Sequence, residues 1–347
     1  MRPRDELEVA EVMRSSAGPC HVHGGGTRRI VPVEGQAIDT SALTGVRIYE
    51  PGSLTLVAGA GTPVAEVEAV LADQRQRLAF EAPDLRALLG RQGVSTLGGV
   101  AAANASGPRR IQVGAARDQV LGLRFVTGDG VVVKAGGRVM KNVTGLDLSK
   151  LLVGSHGSLG VITELAFRVQ AMPEATATLV GSRDLVSGLA ALRAALGSPM
   201  DVSGAAYLNG RAMIRIEGMA GSVAYRAEAL QAQLGGDWDI VDAADWTAVR
   251  DVMPFAGRDG NVWRISVKPT DAVPVVQGLE AEAIFDWGGG LIWVLASSDL
   301  DLRAHLGNRG HATLMRGQGM TFHPEVPAVA ALTAGLKGRF DPKGILR

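Results

Sequence analysis

The chain has 347 residues, which predicts two domains of roughly 150 residues or more each. Its 35 basic and 35 acidic residues give a formal net charge of zero, which argues against binding to nucleic acid or to an anionic membrane surface. The single cysteine excludes an internal disulfide and an iron–sulfur cluster held by this chain's own thiolates. The charged N-terminal stretch is unlike a signal peptide, so we expect a cytoplasmic protein.

The first 80 residues alternate between predicted helices and strands. Apolar spacing and capping residues predict helices over 7–14 and 62–73. Strands are predicted over 20–23, 46–49, 54–58 and 78–80. Such alternation is typical of a domain in which helices cover a sheet.

The segment from 85 to 114 is rich in Gly, Ala, Ser and Asn and has little periodicity, which indicates an ordered loop wrapped around a ligand. Gly128-Asp129-Gly130 lies between two runs of strand-forming residues and predicts a β-hairpin. A short helix over 148–153 and a strand over 161–169 complete the first domain.

The Gly-rich character ends near Met172, so we expect domains at 1–171 and 172–347. The second domain is predicted to be α+β with an antiparallel sheet. Its predicted helices span 185–196 and 223–234, and its predicted strands span 178–180, 205–208, 212–217, 262–267 and 291–296.

One short motif favours a dinucleotide site of the Rossmann type. Gly59-Ala60-Gly61-Thr62-Pro63-Val64 follows a predicted strand, opens a predicted helix and precedes Glu81 by about twenty residues. However, Val64 stands where close helix packing needs a small residue, and Pro63 lacks the N–H that would face a pyrophosphate. We keep this NAD-binding interpretation only as an alternative.

Three Gly-rich segments lie near residues 23–28, 95–110 and 154–163. Consecutive Gly residues can turn several backbone N–H groups to one side, which favours anion binding, and small side chains let the backbone lie against a long ligand. The candidate cofactor-binding residues are His23, Gly24, Gly25, Gly26, Thr27, Arg28, Ser95, Thr96, Gly98, Gly99, Asn104, Gly107, Arg109, Gly114, Gly157, Gly160, Val161 and Ile162.

Together these segments resemble the FAD-binding domain of the vanillyl-alcohol-oxidase and p-cresol-methylhydroxylase (PCMH-type) family, over about residues 5–170. The resemblance implies an α+β fold, in which a PCMH-type FAD-binding domain of two subdomains precedes a smaller α+β cap domain with an antiparallel sheet. It also implies that the candidate residues line FAD. Covalently flavinylated members carry His in the first Gly loop where this chain has Thr27, so we expect non-covalent FAD.

Further motifs are similar to the FAD-binding E subunits of bacterial glycolate oxidases. They lie at 106–110, 136–148, 263–267, 286–289 and 340–346. The resemblance implies a complex with a second FAD subunit and an iron–sulfur subunit. This complex would oxidise glycolate or D-lactate to the 2-oxo acid and contact the inner face of the cell membrane only peripherally.

Catalytic residues are left unassigned. The paired-His motif typical of the partner flavoprotein is missing, and the four histidines after residue 150 are scattered, so we interpret them as surface or structural residues. Arg264 and Lys268 are the candidates for holding a substrate carboxylate, because Arg offers a planar fork of donors. His21 and His23 share one face of a predicted strand but lack a third ligand, so no metal site is predicted.

Two other functions stay open. One is a stand-alone FAD oxidoreductase for another alcohol or hydroxy acid. The other is a non-catalytic subunit that retains the flavin fold only to assemble its partners.

Overall fold

The computed structural model describes residues 1–31, 33–138, 146–242 and 244–347. Residues 139–145 of the motif at 136–148 lie outside these ranges. The α-helices are α1 (Glu6–Ser15), α2 (Val64–Ala72), α3 (Arg86–Leu89), α4 (Leu97–Ala102), α5 (Arg110–Val113), α6 (Ala116–Gln119), α7 (Ser149–Leu152), α8 (Leu185–Leu196), α9 (Ala220–Leu234), α10 (Trp246–Arg250), α11 (Ala272–Val276), α12 (Leu302–Leu306) and α13 (Pro327–Phe340).

The N-terminal part holds two sheets. The strands are β1 (Cys20–His23), β2 (Gln36–Asp39), β3 (Val46–Glu50), β4 (Thr55–Gly59), β5 (Gln76–Leu78), β6 (Val120–Val126), β7 (Val132–Gly136) and β8 (Val161–Ala171). β1 and β2 form a parallel pair, and the larger sheet has the order β3-β4-β8-β6-β7, with β5 pairing to the far end of β8. The predicted hairpin joins β6 to β7. α2 and α4 pack on this sheet around Leu56, Val67, Leu97, Phe125 and Phe167.

The C-terminal part is built on an eight-stranded antiparallel sheet, named here the cap sheet. Its strands are β9 (Ala175–Ser182), β10 (Val202–Leu208), β11 (Arg211–Gly218), β12 (Asp239–Val241), β13 (Asn261–Val267), β14 (Glu282–Asp286), β15 (Leu291–Ala296) and β16 (Gly310–Arg316). Their order is β12-β9-β11-β10-β14-β15-β13-β16. The predicted α+β class with an antiparallel C-terminal sheet is confirmed, whereas β12, β14, β16 and α13 were not predicted.

The period of two along each strand divides the cap sheet into two faces. On β15, Ile292 and Val294 pack under the helices α8, α9, α11 and α12, whereas Leu291 and Trp293 face the N-terminal part. There they meet Leu88 of α3. The chain passes from one sheet to the other at residues 171–175, where we propose the domain boundary.

The last residues return to the N-terminal part. Asp341 accepts hydrogen bonds from the backbone N–H groups of Ile345 (3.1 Å) and Leu346 (2.8 Å), which turns the chain back. Leu346 then packs beside Val9 and Met13 of α1. The tail motif at 340–346 therefore packs against the N-terminal part of the protein.

A buried cluster of ion pairs joins the two parts. From the cap sheet, Glu217 accepts hydrogen bonds from Arg77 (2.7 Å) and from Arg109 Nε (3.0 Å), while Arg215 donates to Glu81 (2.9 Å). Burial alone would raise the pKa of Glu217, but the three guanidiniums around it lower that pKa to about 2. The cluster is charged at neutral pH and fixes the cap sheet against the N-terminal part.

Glu217→Gln is expected to destabilise the protein by about 3–5 kcal/mol, because it leaves buried guanidiniums without their carboxylate. The matched control is Glu282→Gln, which breaks an exposed pair with Arg258 and should cost less than about 1 kcal/mol. Denaturant unfolding followed by circular dichroism gives both values. Equal effects of the two substitutions would contradict the structural role of the cluster.

The same cluster predicts a loss of stability in acid. Folding lowers the pKa of Glu217 from its ordinary value of 4.5 to about 2. The contribution of Glu217 to stability is therefore present above pH 4.5 and is lost as the pH falls towards the folded-state pKa. The urea midpoint of the wild type should therefore fall more steeply between about pH 5 and about pH 3 than that of Glu217→Gln. If the urea midpoints of the wild type and of Glu217→Gln fell equally with pH, the role of Glu217 in acid stability would be contradicted.

Candidate functional site

A cleft runs along the Gly-rich loops of the N-terminal part and reaches the cap sheet at one end. It has three adjoining chambers. The glycine chamber, of about 100 Å³, lies against residues 24–31, and a side chamber of about 70 Å³ lies behind it. The cap chamber, of about 280 Å³, is bounded by β13, β15 and β16. His156 lines all three chambers and marks their junction.

The loop after β1 forms one wall of the glycine chamber. A Cβ atom on Gly25 would lie 1.5 Å from the carbonyl oxygen of Val94, so only Gly fits where these two backbones meet. The backbone N–H groups of residues 24–27 donate to no acceptor among the described protein groups. A loop with several free N–H groups is suited to bind an anion.

Arg28 lies between the glycine chamber and the cap chamber. Its guanidinium donates to Ser95 Oγ and to the carbonyl oxygen of Pro83, both at 2.5 Å. Its Nε is buried without a partner among the described residues. Burial lowers the pKa of Arg28 to about 10, so it remains a cation near neutral pH.

The helix α4 supplies the floor of the glycine chamber. Thr96 caps it by accepting a hydrogen bond from the backbone N–H of Gly99 (3.3 Å). Gly99, Ala102 and Ala103 line the chamber and leave space above the helix because their side chains are small. A Cβ on Gly99 would meet only Thr96 Oγ1, at 3.3 Å.

Strand register builds the wall of the cap chamber. Arg264 on β13 lies opposite Trp293 on β15 and Thr313 on β16, and Ser266 lies opposite His311. All five line the cap chamber. Residues two apart on a strand share a face, so this end of the cap sheet presents polar and charged side chains to the cleft.

The cleft is strongly cationic. Among the described residues, no Asp or Glu lines any of the three chambers, whereas five arginines do: Arg28, Arg29, Arg110, Arg264 and Arg347. Burial lowers the pKa of His156, which favours its neutral form. The arrangement suits a ligand with several negative charges and small neutral surfaces between them.

The structure brings most of the candidate cofactor residues together. Those that line the chambers are Gly24, Gly25, Gly26, Thr27, Arg28, Thr96, Gly98, Gly99, Asn104, Gly157, Gly160 and Ile162. Six do not line them: His23, Ser95, Gly107, Arg109, Gly114 and Val161. Ser95 instead holds Arg28, and Arg109 belongs to the buried ion-pair cluster.

The two residues predicted to hold a substrate carboxylate do not lie in the same chamber. Arg264 lines the cap chamber, whereas Lys268 is exposed beyond the end of β13 and lies outside it. Three cleft residues were not predicted from the sequence: Arg110, His156 and His311. The spacing of Arg264 and Ser266 on a predicted strand was an available signal, but β16 was not predicted, so nothing placed His311 opposite them.

The alternative NAD site is excluded by the sheet. β4, which precedes the Gly59-Ala60-Gly61 turn, lies between antiparallel neighbours, whereas the Rossmann fold needs a parallel sheet. Glu81 is occupied by Arg215 and by the backbone N–H of Arg109. It is therefore not free to bind a ribose.

The two histidines of β1 are not arranged for a metal. Arg29 Nη2 lies 3.1 Å from His23 Nδ1, so a cation already occupies that side of the ring. In the part of the chain that the structure describes, no three His, Cys, Asp or Glu side chains are grouped as metal ligands. Within the same ranges, every helix is too short or too polar to cross a membrane.

Comparison with known proteins identifies the family. Residues 1–136 match a protein family described as an FAD binding domain. Over 345 residues the chain is 35% identical to glycolate oxidase subunit GlcE of Escherichia coli (strain K12), an alignment that covers 98% of this chain and 94% of that protein. The chain belongs to the glycolate oxidase subunit GlcE family. The expected FAD-binding domain and the expected family are thus confirmed.

More distant relatives support the fold of this GlcE-family chain. It is 31% identical over 179 residues to the mitochondrial D-lactate dehydrogenase (cytochrome) of Arabidopsis thaliana, which covers 50% of this chain and 30% of that protein. Its structure is similar to that of alkyldihydroxyacetonephosphate synthase, with a TM-score of 0.70 at 16% identity over 99% of this chain and 76% of the other. At that identity the likeness concerns the fold.

Gly99→Leu is expected to reduce the flavin content of the purified protein to near zero, because the new side chain would project into the glycine chamber. The control is Gly221→Leu, which adds the same side chain to an exposed site in α9 with no heavy atom within 4 Å of the new Cβ. The ratio of absorbance at about 450 nm to that at 280 nm measures flavin per chain. Undiminished flavin in Gly99→Leu would contradict the place assigned to the cofactor.

Proposed function

We propose that this chain binds FAD non-covalently in the cleft and acts as the FAD-binding subunit of a glycolate oxidase complex. The complex oxidises glycolate or D-lactate to the 2-oxo acid and passes the electrons to an iron–sulfur subunit. The observation that carries the proposal is the charge of the cleft, which is lined by five arginines and, among the described residues, by no carboxylate. FAD and a 2-hydroxy acid are both anions.

The residues of the glycine chamber fit the cofactor. The free N–H groups of residues 24–27 and the unpartnered Nε of Arg28 would hold the pyrophosphate. Gly99 and Ala102 leave room for the extended part of the molecule. Thr27 cannot form the covalent flavin bond that a histidine forms, which supports non-covalent binding.

FAD, when bound, supplies a two-electron oxidant that can accept a hydride from an alcohol carbon. The protein's own contribution is to bring a small acid beside it. The cap chamber adjoins the glycine chamber through Arg28, Ala103 and His156, which line both. A hydroxy acid in the cap chamber would therefore lie next to the cofactor.

The proposed partners follow from the need to pass electrons from the reduced flavin to an acceptor. The chain has one cysteine, so a cluster that accepts electrons through cysteine ligands must be held by another subunit. Exposed apolar side chains on α13 and on the segment before it are available for such a contact. They are Met320, Phe322, Val326, Val329, Leu332 and Leu336, and Phe322 also lines the cap chamber. Exposed apolar surface of this kind is typical of protein–protein contact.

The proposal is tested by an absorbance spectrum of the purified full chain, recorded before and after anaerobic addition of glycolate or D-lactate. Bands near roughly 375 and 450 nm, released into the supernatant by acid, are expected for non-covalent flavin. Loss of the 450 nm band with either acid is expected for substrate oxidation. Colour that stays in the acid pellet would contradict non-covalent binding, and a colourless chain that refuses added FAD would contradict the cofactor.

A further inference from the structure

The cap chamber contains a pair of arginines on one indole ring. The guanidinium of Arg110 lies 4.9 Å from the ring centre of Trp287, and that of Arg264 lies 5.3 Å from it. Trp287 is itself fixed, because its Nε1 donates to the carbonyl oxygen of Gly107 (3.1 Å). Two elements from different parts of the chain, α5 and β13, thus bring two cations to one place.

Neither guanidinium forms an ion pair with a described residue, although Asp118 lies near enough to Arg110, and Asp286 near enough to Arg264, to raise their pKa values against the lowering that burial causes. Arg110 donates to Ser106 Oγ (3.1 Å), a neutral group, and the side chain of Arg264 makes no hydrogen bond to any described residue. The nearby carboxyl group of Asp286 is fully buried, and burial raises its pKa to about 7, which weakens its charge. The two guanidiniums repel each other, and an anion bound between them would relieve that repulsion.

A histidine lies on the same sheet face as Arg264. His311 is a diagonal neighbour of Arg264 across β13 and β16, a relation that places Cα atoms about 7–8 Å apart. Burial and the charge of Arg264 lower the pKa of His311, so the ring is neutral and able to accept a proton near pH 7. His156 also lines this chamber, and its ring lies tilted against that of Phe322, with the ring centres 5.5 Å apart.

We propose that Arg110 and Arg264 bind the carboxylate of a small 2-hydroxy acid and that His311 accepts the proton of its hydroxyl group. The inference rests on the proposed function, because FAD is the oxidant that it requires. His311 would accept the O–H proton while the arginines hold the carboxylate. FAD, when bound, would supply the two-electron oxidant that takes up the C2 hydrogen with its electron pair, so that the C2–O single bond becomes a carbonyl and the acid a 2-oxo acid.

Binding can be tested without turnover. The probe is 2-hydroxy-2-methylpropanoate, which keeps the carboxylate and the hydroxyl but has no hydrogen at C2 to be transferred. Calorimetric titration of the flavin-loaded full chain is expected to give saturable binding that Arg264→Gln weakens at least tenfold. Arg264→Lys should be intermediate, because it keeps the charge and loses the planar fork. Lys268→Gln, which removes a charge outside the chamber, should stay within about twofold.

An Arg264→Gln variant that retains its flavin and binds the probe as tightly as the wild type would overturn the carboxylate site. If Arg264→Gln fails to fold, Arg264→Lys and Arg110→Gln decide the question by the same titration. A chain that holds no FAD would contradict the proposed function, yet the titration would still test the arginine pair on its own.

The role of His311 is tested by the rate at which glycolate bleaches the flavin under anaerobic conditions. His311→Gln is expected to slow bleaching by about 100-fold to 10,000-fold, the usual contribution of a general base, while the affinity for the probe stays within about twofold. The control is His305→Gln, since His305 bonds to the carbonyl oxygen of Val275 and lies outside the chamber. An unchanged rate in His311→Gln, or a wild type that binds the probe and is never bleached, would overturn the assignment.

Discussion

The cleft exists because a buried cluster of arginines and glutamates fixes the cap sheet against the N-terminal part. Glu217 of β11 accepts from Arg77 and Arg109, and Glu81 accepts from Arg215, so each part supplies both signs of charge. Charges this deeply buried are stable only when they are paired. The cluster therefore holds the cap sheet in a defined position against the N-terminal part.

The distribution of charge explains how a chain with no net charge can bind anions. Acidic side chains are used in the cluster, in helix caps such as Asp184 and in surface pairs. The arginines that line the cleft form no ion pair with any described residue. A chain whose charges sum to zero does not attract polyanions over long distances. A low-dielectric cleft that is lined by charges of one sign nevertheless binds a specific anion strongly. The balance of charge inside the cleft, rather than the net charge of the chain, therefore determines anion binding.

Most strands of both domains could be predicted from the sequence, whereas the contacts between distant segments could not. Gly-rich segments and the Gly128-Asp129-Gly130 turn are local signals, and they marked the FAD-binding domain and its hairpin. Arg109 was assigned to the cofactor because its neighbours fit a family motif, but its partner Glu217 is 108 residues away and no local pattern reveals it. His311 was missed for a similar reason, since only the pairing of β13 with β16 brings it beside Arg264.

The central claim is that one cleft holds both the flavin and a small carboxylate. Titration of the flavin-loaded chain with 2-hydroxy-2-methylpropanoate, followed by the absorbance of the flavin, tests it most directly. A saturable change in the flavin bands, present in Lys268→Gln and lost in Arg264→Gln, is the predicted result. Calorimetric binding of the probe with no change in the flavin spectrum would mean that the two ligands occupy separate sites and would contradict the account.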